Sequence, residues 1–347
     1  MGAKQSILPF FIPMQGCPAL CVYCDQRAIS GQNAAPAAAE ILAALAAFPP
    51  DPTAELAFYG GSFTCLPEAE QLRYLQLAED ALAEGRIGGL RVSTRPDAVD
   101  AAVCAFLRRH HVVTVELGVQ SFDDRVLAAS GRGYTAEQAL AGCAAVRAAG
   151  LRLGIQLMTG LPQQDAATAR ASLQQALAAG AALLRIYPTL VLRGTELAAR
   201  YAAGCYQPQT LPEAVELCAL LLAEALAAGV PVTRLGLNPS PELEAALLAG
   251  PYHPAFGALV REKLKQWQAE ALLAGLDAAE PAMLRFPRQD LPLVFGHQRQ
   301  GMLALAKRWP QLALLPDDDL PAGELRLQTQ AGERCLPERD FCQQLRA

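Results

Sequence analysis

Residues 7–24 read ILPFFIPMQGCPALCVYC, a short apolar run with strand character followed by three cysteines within eight residues. The spacing Cys17-x3-Cys21-x2-Cys24 lets three thiolates on one loop converge on a soft metal site. A structural zinc would ask for a fourth ligand, from a second Cys-x2-Cys or from a histidine pair. None is at hand: His110 and His111 lie far along the chain at a helix end, and His253 and His297 are isolated. A four-iron cluster held by three cysteines has one open iron instead, where a small molecule binds as an extra ligand. The bland alternative is three incidental thiols, and this spacing in a loop flanked by glycine and proline argues against it.

Outside this loop, strand-like and helix-like runs alternate. ILPFFIP (7–13), ELAFY (55–59), LRVST (90–94), VVTVEL (112–117), LRLGIQLM (151–158) and ALLRIYP (182–188) are the strand candidates, with VPVTRLGL (230–237) as a further one. Helical patterns over 35–48, 68–84, 97–109, 135–149, 164–179 and 209–228 follow them, with a short helix before 135. Such alternation reads as βα units around a parallel sheet. Six or seven units make a full barrel, a partial barrel or a doubly wound open sheet, and periodicity leaves the three open. The cysteines, GGSFT, STRPD, GVQSF and GLP all follow strand runs, so the candidate chemistry gathers at the C-terminal edge, as in βα barrels. From about residue 239 the rhythm stops. A helical stretch with a proline-rich interruption follows, and from 278 the tail mixes proline, short apolar runs and charge.

The 347 residues, 52% of them hydrophobic, suffice for one barrel-sized domain with an appendage or for two ordinary domains. The N-terminus shows no secretory pattern and no apolar stretch is long enough to span a membrane, so a cytoplasmic protein with no membrane partner is expected. A net charge of −5 gives no basic footprint for nucleic acid. The local clusters Arg108, Arg109, His110, His111 and Arg261, Lys263, Lys265 read as solvated helix faces. The other cysteines, Cys65, Cys104, Cys143, Cys205, Cys218, Cys335 and Cys342, are scattered in apolar contexts and read as buried thiols. Cys335 and Cys342 alone make a weak ligand pair.

The cysteine loop, with Tyr23 just before the last cysteine, resembles the cluster loop of the radical S-adenosylmethionine (SAM) superfamily. The resemblance implies a 4Fe-4S cluster on Cys17, Cys21 and Cys24, whose open iron chelates the amino and carboxylate groups of SAM. It further implies reductive cleavage of SAM to methionine and a 5′-deoxyadenosyl radical that abstracts hydrogen from a substrate. The electrons would come from a donor such as a ferredoxin or flavodoxin.

Further motifs carry the same resemblance in the same order. FYGGSFT (58–64) is similar to the family's glycine motif, where Gly60 and Gly61 allow close backbone approach to SAM, with Ser62 beside them. In RVSTRPD (91–97), Ser93 and Arg95 stand where SAM's polar groups are contacted. ELGVQSFDDRVLAASGRGYT (116–135) resembles a segment shared by oxygen-independent coproporphyrinogen oxidases and the Elongator catalytic subunit, which puts Gln120 and Arg132 on SAM-contacting positions. An amide can fix a ribose or carboxylate, and a guanidinium can grip a carboxylate with two bonds. GIQLMTGLP (154–162) resembles the fifth-strand motif facing the adenine and offers Gln156. RIYPTLVLRGTELAARYAAGCY (185–206) resembles the Elongator catalytic subunit most, with Tyr187, Arg193 and Glu196 as substrate-side candidates.

The resemblance covers residues 7–240. It implies an α/β fold, a partial (β/α)6-type TIM barrel over 1–240, with a mainly helical C-terminal extension over 241–347. It implies a radical SAM enzyme whose substrate is not identified. The Elongator subunit modifies the wobble uridine of tRNA with acetyl-CoA, so a tRNA base is a candidate substrate, one that the net charge does not support. The stretch after 240 is short for an acetyltransferase domain and shows no acyl-CoA-binding loop. Two other readings stand beside this one: a porphyrin-related enzyme like the coproporphyrinogen oxidases, and a non-catalytic iron–sulfur or zinc module. The glycine pair, Gln120 and Arg132 speak against the module, since an electron carrier has no use for them.

Overall fold

Strand–helix alternation runs from Ile7 to Pro188, as the hydrophobic pattern predicts. The computed structural model describes residues 6–12, 15, 17, 21–31 and 34–346. The first elements are β1 (Ile7–Ile12), α1 (Gln26–Ser30), α2 (Ala38–Ala47), β2 (Glu55–Gly60), α3 (Glu68–Gln76), α4 (Glu79–Ala83), β3 (Gly89–Thr94) and α5 (Ala101–Arg109). They are followed by β4 (Val112–Gln120), α6 (Asp124–Ala129), α7 (Ala136–Ala148), β5 (Arg152–Thr159), α8 (Ala166–Ala178) and β6 (Leu183–Pro188). The short strand β7 (Val191–Leu192) and α9 (Glu196–Ala202) come next. Side-chain caps fix where several helices begin. Asp100, Asp123, Asp165 and Thr195 each accept a backbone N–H at the start of α5, α6, α8 and α9, and Thr135 forms a capping box with Gln138 at α7.

β1 to β6 pair in sequence order, every neighbour parallel. Their runs are buried on both faces, as crossover helices require. Two contacts show that the sheet curls. Arg152 of β5 reaches Glu55 of β2 at 3.1 Å, and the Arg185 guanidinium of β6 lies 4.6 Å from the Tyr59 ring centre of β2. In a flat sheet β2 and β6 would stand about 19 Å apart, four strand spacings. Side chains that touch across that gap are facing one another inside a partial barrel.

The interior carries a charged ladder. Glu55 accepts from Arg91 Nε (2.6 Å), Thr114 Oγ1 (3.0 Å) and Arg152 Nη1 (3.1 Å). Glu116 accepts from Arg91 Nη1 (2.6 Å), Arg185 Nη1 (2.7 Å) and Tyr59 Oη (3.3 Å). Glu55, Arg91, Thr114 and Glu116 are buried, and partners within the barrel satisfy them.

Contact density divides the chain into two compact units, Met1–Thr210 with Leu237–Tyr252, and Leu211–Gly236 with His253–Ala347. The second opens with α10 (Leu211–Ala227) and β8 (Val232–Leu235). The first is completed by α11 (Pro241–Ala246) and β9 (Leu247–Ala249), which pairs antiparallel with β7. The second continues with α12 (Phe256–Leu272), β10 (Ala282–Pro287), α13 (Leu291–Phe295), α14 (Gln300–Arg308), β11 (Leu312–Asp317), β12 (Glu324–Thr329), β13 (Gly332–Pro337) and α15 (Glu338–Arg346). Besides the helices, the tail thus holds a four-stranded mixed sheet in the order β11-β10-β12-β13, where no strand was expected.

Lys265 corrects a second expectation. It is no solvated charge: its ammonium is buried on α12 and meets Gln268 Oε1 (2.8 Å), Asp290 (3.2 Å) and Glu338 (3.3 Å). Of the scattered cysteines, Cys104, Cys143, Cys218 and Cys342 are buried, Cys65 is half-buried, and Cys205 and Cys335 are exposed. No helix among the described residues is long and apolar enough to cross a membrane.

Candidate active site

A cavity of about 210 Å³ opens at the C-terminal ends of β1 to β6. The two-residue period of the strands aims Tyr59, Ser93, Gly118, Gln156, Arg185 and Tyr187 into it, the turns after β2 and β3 add Gly61 and Arg95, and the loop after α6 adds Arg132. Phe11, Ile29, Met158, Leu190, Leu192 and Leu237 form an apolar side.

Cys17 and Cys24 line this cavity. Their loop is pinned on both sides, by Val22 N–H donating to Ser130 O (3.1 Å) and Leu197 N–H donating to Val22 O (2.7 Å). Asp25 caps the following helix through Ala28 N–H. Cys21 is packed instead into an apolar cluster with Val22, Tyr23, Val126, Leu161 and Leu197. Arg132 Nη1 donates to its sulfur at 3.0 Å, and Gln26 Nε2 donates to Cys17 Sγ at 3.6 Å. Burial, more than neighbouring thiols, pushes the Cys17 thiol up and that of Cys24 up to about 12, so metal loading has to displace protons. Arg132 works in the opposite sense at both. The donor set, three thiols on one loop beside cationic groups, fits a thiolate-held iron–sulfur cluster. The geometry is not closed: among the described residues no three of His, Cys, Asp and Glu are arranged to hold a metal ion.

The glycine pair is dictated by a chain crossing. Gly61 N–H donates to Ile12 O (2.9 Å) and Ser62 N–H to Gln15 O (3.1 Å). A Cβ on Gly61 would stand 1.8 Å from Gln15 O, and one on Gly60, whose φ is +109°, would stand 2.7 Å from Ile12 O. Backbone atoms cannot swing aside as a flexible side chain can. Gly61→Ala is therefore expected to cost about 1–3 kcal/mol by overpacking. Thermal denaturation checks this, and an unchanged melting temperature would refute it.

Arg132 and Arg95 are held by several partners each. Arg132 donates to Tyr134 Oη (2.9 Å), Tyr23 Oη (3.4 Å) and Gly118 O as well as to Cys21. Arg95 grips both oxygens of Asp97 at 2.9 Å and donates to Arg132 O at 2.6 Å. Gln120 closes β4 at a bulge, with φ +68°. Its Oε1 accepts from Gln156 Nε2 at 3.1 Å. A left-handed non-glycine residue costs of order 1 kcal/mol and persists where its surroundings fix it, typically at a functional site.

A family model described as "Radical SAM superfamily" matches residues 11–176, and one described as "Radical_SAM C-terminal domain" matches 181–266. The chain belongs to the radical SAM superfamily. It is an enzyme of that family, and several relatives resemble it. It is 30% identical to a tRNA uridine(34) acetyltransferase of Methanocaldococcus jannaschii over 138 residues, 39% of this chain and 26% of that protein. It is 26% identical to a protein of the same name from Dehalococcoides mccartyi over 231 residues, covering 55% of this chain and 50% of that one. The solved archaeal Elp3 of Methanocaldococcus infernus, lacking its N-terminus (1–46), superimposes with a TM-score of 0.59 at 20% identity, over 76% of this chain and 63% of that chain. That likeness shows the shared fold. The chain spans 26% to 50% of the length of these curated relatives.

The radical SAM chain brings most of the anticipated residues to one cavity: Cys17, Tyr23, Cys24, Gly60, Gly61, Ser93, Arg95, Gln120, Arg132, Gln156 and Tyr187. Cys21 sits behind the wall. Ser62 is fully buried outside it, bonded to Thr94 Oγ1 (2.8 Å) and accepting from Arg95 N–H (3.1 Å). Arg193 and Glu196 lie elsewhere, because the β7–α9 turn carries their side chains to the surface. There Glu196 pairs with Arg200 in the first turn of α9. Tyr59 and Arg185 line the cavity without having been singled out. The signal was present: a tyrosine and an arginine at inward positions of strand runs otherwise apolar, Arg185 two residues before Tyr187.

Proposed function

We propose that Cys17, Cys21 and Cys24 hold a 4Fe-4S cluster and that the adjoining cavity holds SAM, making the chain a radical SAM enzyme acting by hydrogen abstraction. The observation that carries this is the convergence of two cysteines of the loop, the glycine pair, Gln120 and Arg132 on one cavity. When bound, cluster and SAM supply reductive carbon–sulfur bond cleavage and hydrogen-atom abstraction.

The protein's own residues would bind, orient and shield. Gly60 and Gly61 let the backbone approach the amino end of SAM. Arg132, once released by Cys21, keeps its plane through Tyr134 and Gly118 and offers its Nη1 edge to a carboxylate. Gln156 orients the Gln120 amide. Phe11, Met158 and Leu190 exclude water that would quench a reactive species. Electrons would come from a ferredoxin- or flavodoxin-like donor. For the substrate we propose a tRNA base, supported by the relatives named tRNA uridine(34) acetyltransferases. Residues 1–240 would carry this chemistry, with 241–347 as an extension.

The test is anaerobic reconstitution with iron and sulfide, reduction in the presence of SAM, and assay for 5′-deoxyadenosine. Product that depends on all three cysteines supports the proposal, and a chain that binds no cluster overturns it. Arg132→Ala is expected to weaken SAM binding about ten-fold or more, the worth of a lost charge-assisted pair, while iron content stays unchanged. Equilibrium binding of SAM checks this, and unchanged affinity would return Arg132 to a purely structural role.

A further inference from the structure

Among the described residues three guanidinium groups face the cavity, those of Arg95, Arg132 and Arg185, and no aspartate or glutamate lines it. Arg132 uses all three of its nitrogens on Tyr134, Cys21, Tyr23 and Gly118 O, and Arg95 uses Nε and Nη2 on Asp97 and Arg132 O. Arg185 is less committed. Among the described residues its one hydrogen bond runs from Nη1 to Glu116 Oε2, at 2.7 Å, and Glu116 is shared with Arg91. The guanidinium carbon stacks 4.6 Å from the Tyr59 ring centre and 5.5 Å from that of Tyr187. Stacking fixes the plane and leaves the edge that carries Nε and Nη2 unbonded. A planar fork held in this way is suited to a two-bond grip on an oxyanion. Arg185 and Tyr187 lie on β6 and Tyr59 on β2, so the grip is built from two strands.

We infer that Arg185 is a substrate-binding residue that anchors a singly charged oxyanion of the substrate, a carboxylate or a phosphodiester, on the Tyr59–Tyr187 side of the cavity. The inference rests on the reading of this cavity as a SAM-dependent active site, and it assigns the substrate's charge to a residue separate from those proposed for the cofactor. Glu116 is a positioning residue here, since it acts through Arg185.

The test is anion binding to the full-length chain, which needs no cluster and so fails independently of the deoxyadenosine assay. Difluoroacetate, followed by fluorine NMR line broadening, represents the carboxylate; dimethyl phosphate, followed by phosphorus NMR, represents the phosphodiester. Saturable binding of either probe is expected in the native chain, weakened about ten-fold or more in Arg185→Gln. The probe that binds names the source of the oxyanion. Arg185→Lys retains the charge but not the fork, so an intermediate loss is expected there, and it carries the comparison if the glutamine variant does not fold. SAM affinity of the reconstituted enzyme is the control. Three results would overturn the inference: neither probe binding the native chain, equal binding in all three proteins, or a ten-fold loss of SAM affinity in Arg185→Lys, which would make Arg185 a cofactor group.

Discussion

Cys24→Ala is expected to abolish cluster binding and, with it, all 5′-deoxyadenosine formation. Three thiolates are the smallest set that holds a four-iron cluster with one open iron. Among the described residues no three of His, Cys, Asp and Glu are arranged as an alternative metal site, and no His, Asp or Glu lines the cavity. The fold should tolerate the change. Cys24 is half-buried beside an apolar cluster, and losing one sulfur atom costs about 1 kcal/mol of packing. Loss of iron without loss of the melting transition is therefore the expected signature. Cys205→Ala serves as the contrast, since Cys205 is exposed and lies outside the cavity, and it should leave iron content untouched. Native iron content and visible spectrum in Cys24→Ala would refute the ligand assignment.

The six parallel strands were legible because each is a short apolar run with a helical pattern after it, the form that strands covered on both faces by crossover helices take. Cys17, Gly60, Gly61 and Gln120 were legible for a related reason: each lies at or soon after a strand end, where the fold collects them, whereas Cys24 and Arg132 stand further along and were legible through the motif they complete. What stayed hidden depends on side-chain direction. Ser62 adjoins two cavity-lining glycines, yet its hydroxyl turns into the Thr94 network, and adjacency in sequence says nothing of that. Arg193 and Glu196 belong to a stretch that resembles relatives strongly, but the turn into α9 directs them outward. The charged ladder was invisible because Glu55, Arg91, Glu116 and Arg185 each look, alone, like the charged edge of a strand. Only the curl of the sheet brings them together. In the tail, β13 is exposed at four of its six positions, so it lacks the alternation that marks a strand. Lys265 follows the spacing of a solvated face, and its carboxylate partners come from residues 25 and 73 positions further on.

That ladder supports the second large effect. Glu116→Ala is expected to destabilise the protein by about 3–5 kcal/mol, the usual result of removing one partner from a buried ion pair. The Glu116 side chain is 2% exposed and takes hydrogen bonds from Arg91, Arg185 and Tyr59. Deleting it leaves guanidinium groups on two strands facing each other with less charge between them and a void in place of the carboxylate. Glu116→Gln separates the causes, since it keeps the shape and removes the charge, so the difference between the two variants reports the cavity. Acid titration gives an independent check. Burial pushes the Glu116 carboxyl up, but the charges of Arg185 and Arg91 outweigh it and hold the group below its ordinary value. A carboxyl lowered in the folded state contributes stability above its unfolded pKa, about 4.3, and loses it as pH falls through the folded value. The stability gap between the native chain and Glu116→Gln should thus be full at neutral pH and close only below about pH 4. Chemical denaturation across that range measures it. A gap that is absent at neutral pH would mean that the ladder orients Arg185 and Tyr59 without holding the barrel together, and substrate-side binding would then be where the loss of Glu116 is felt.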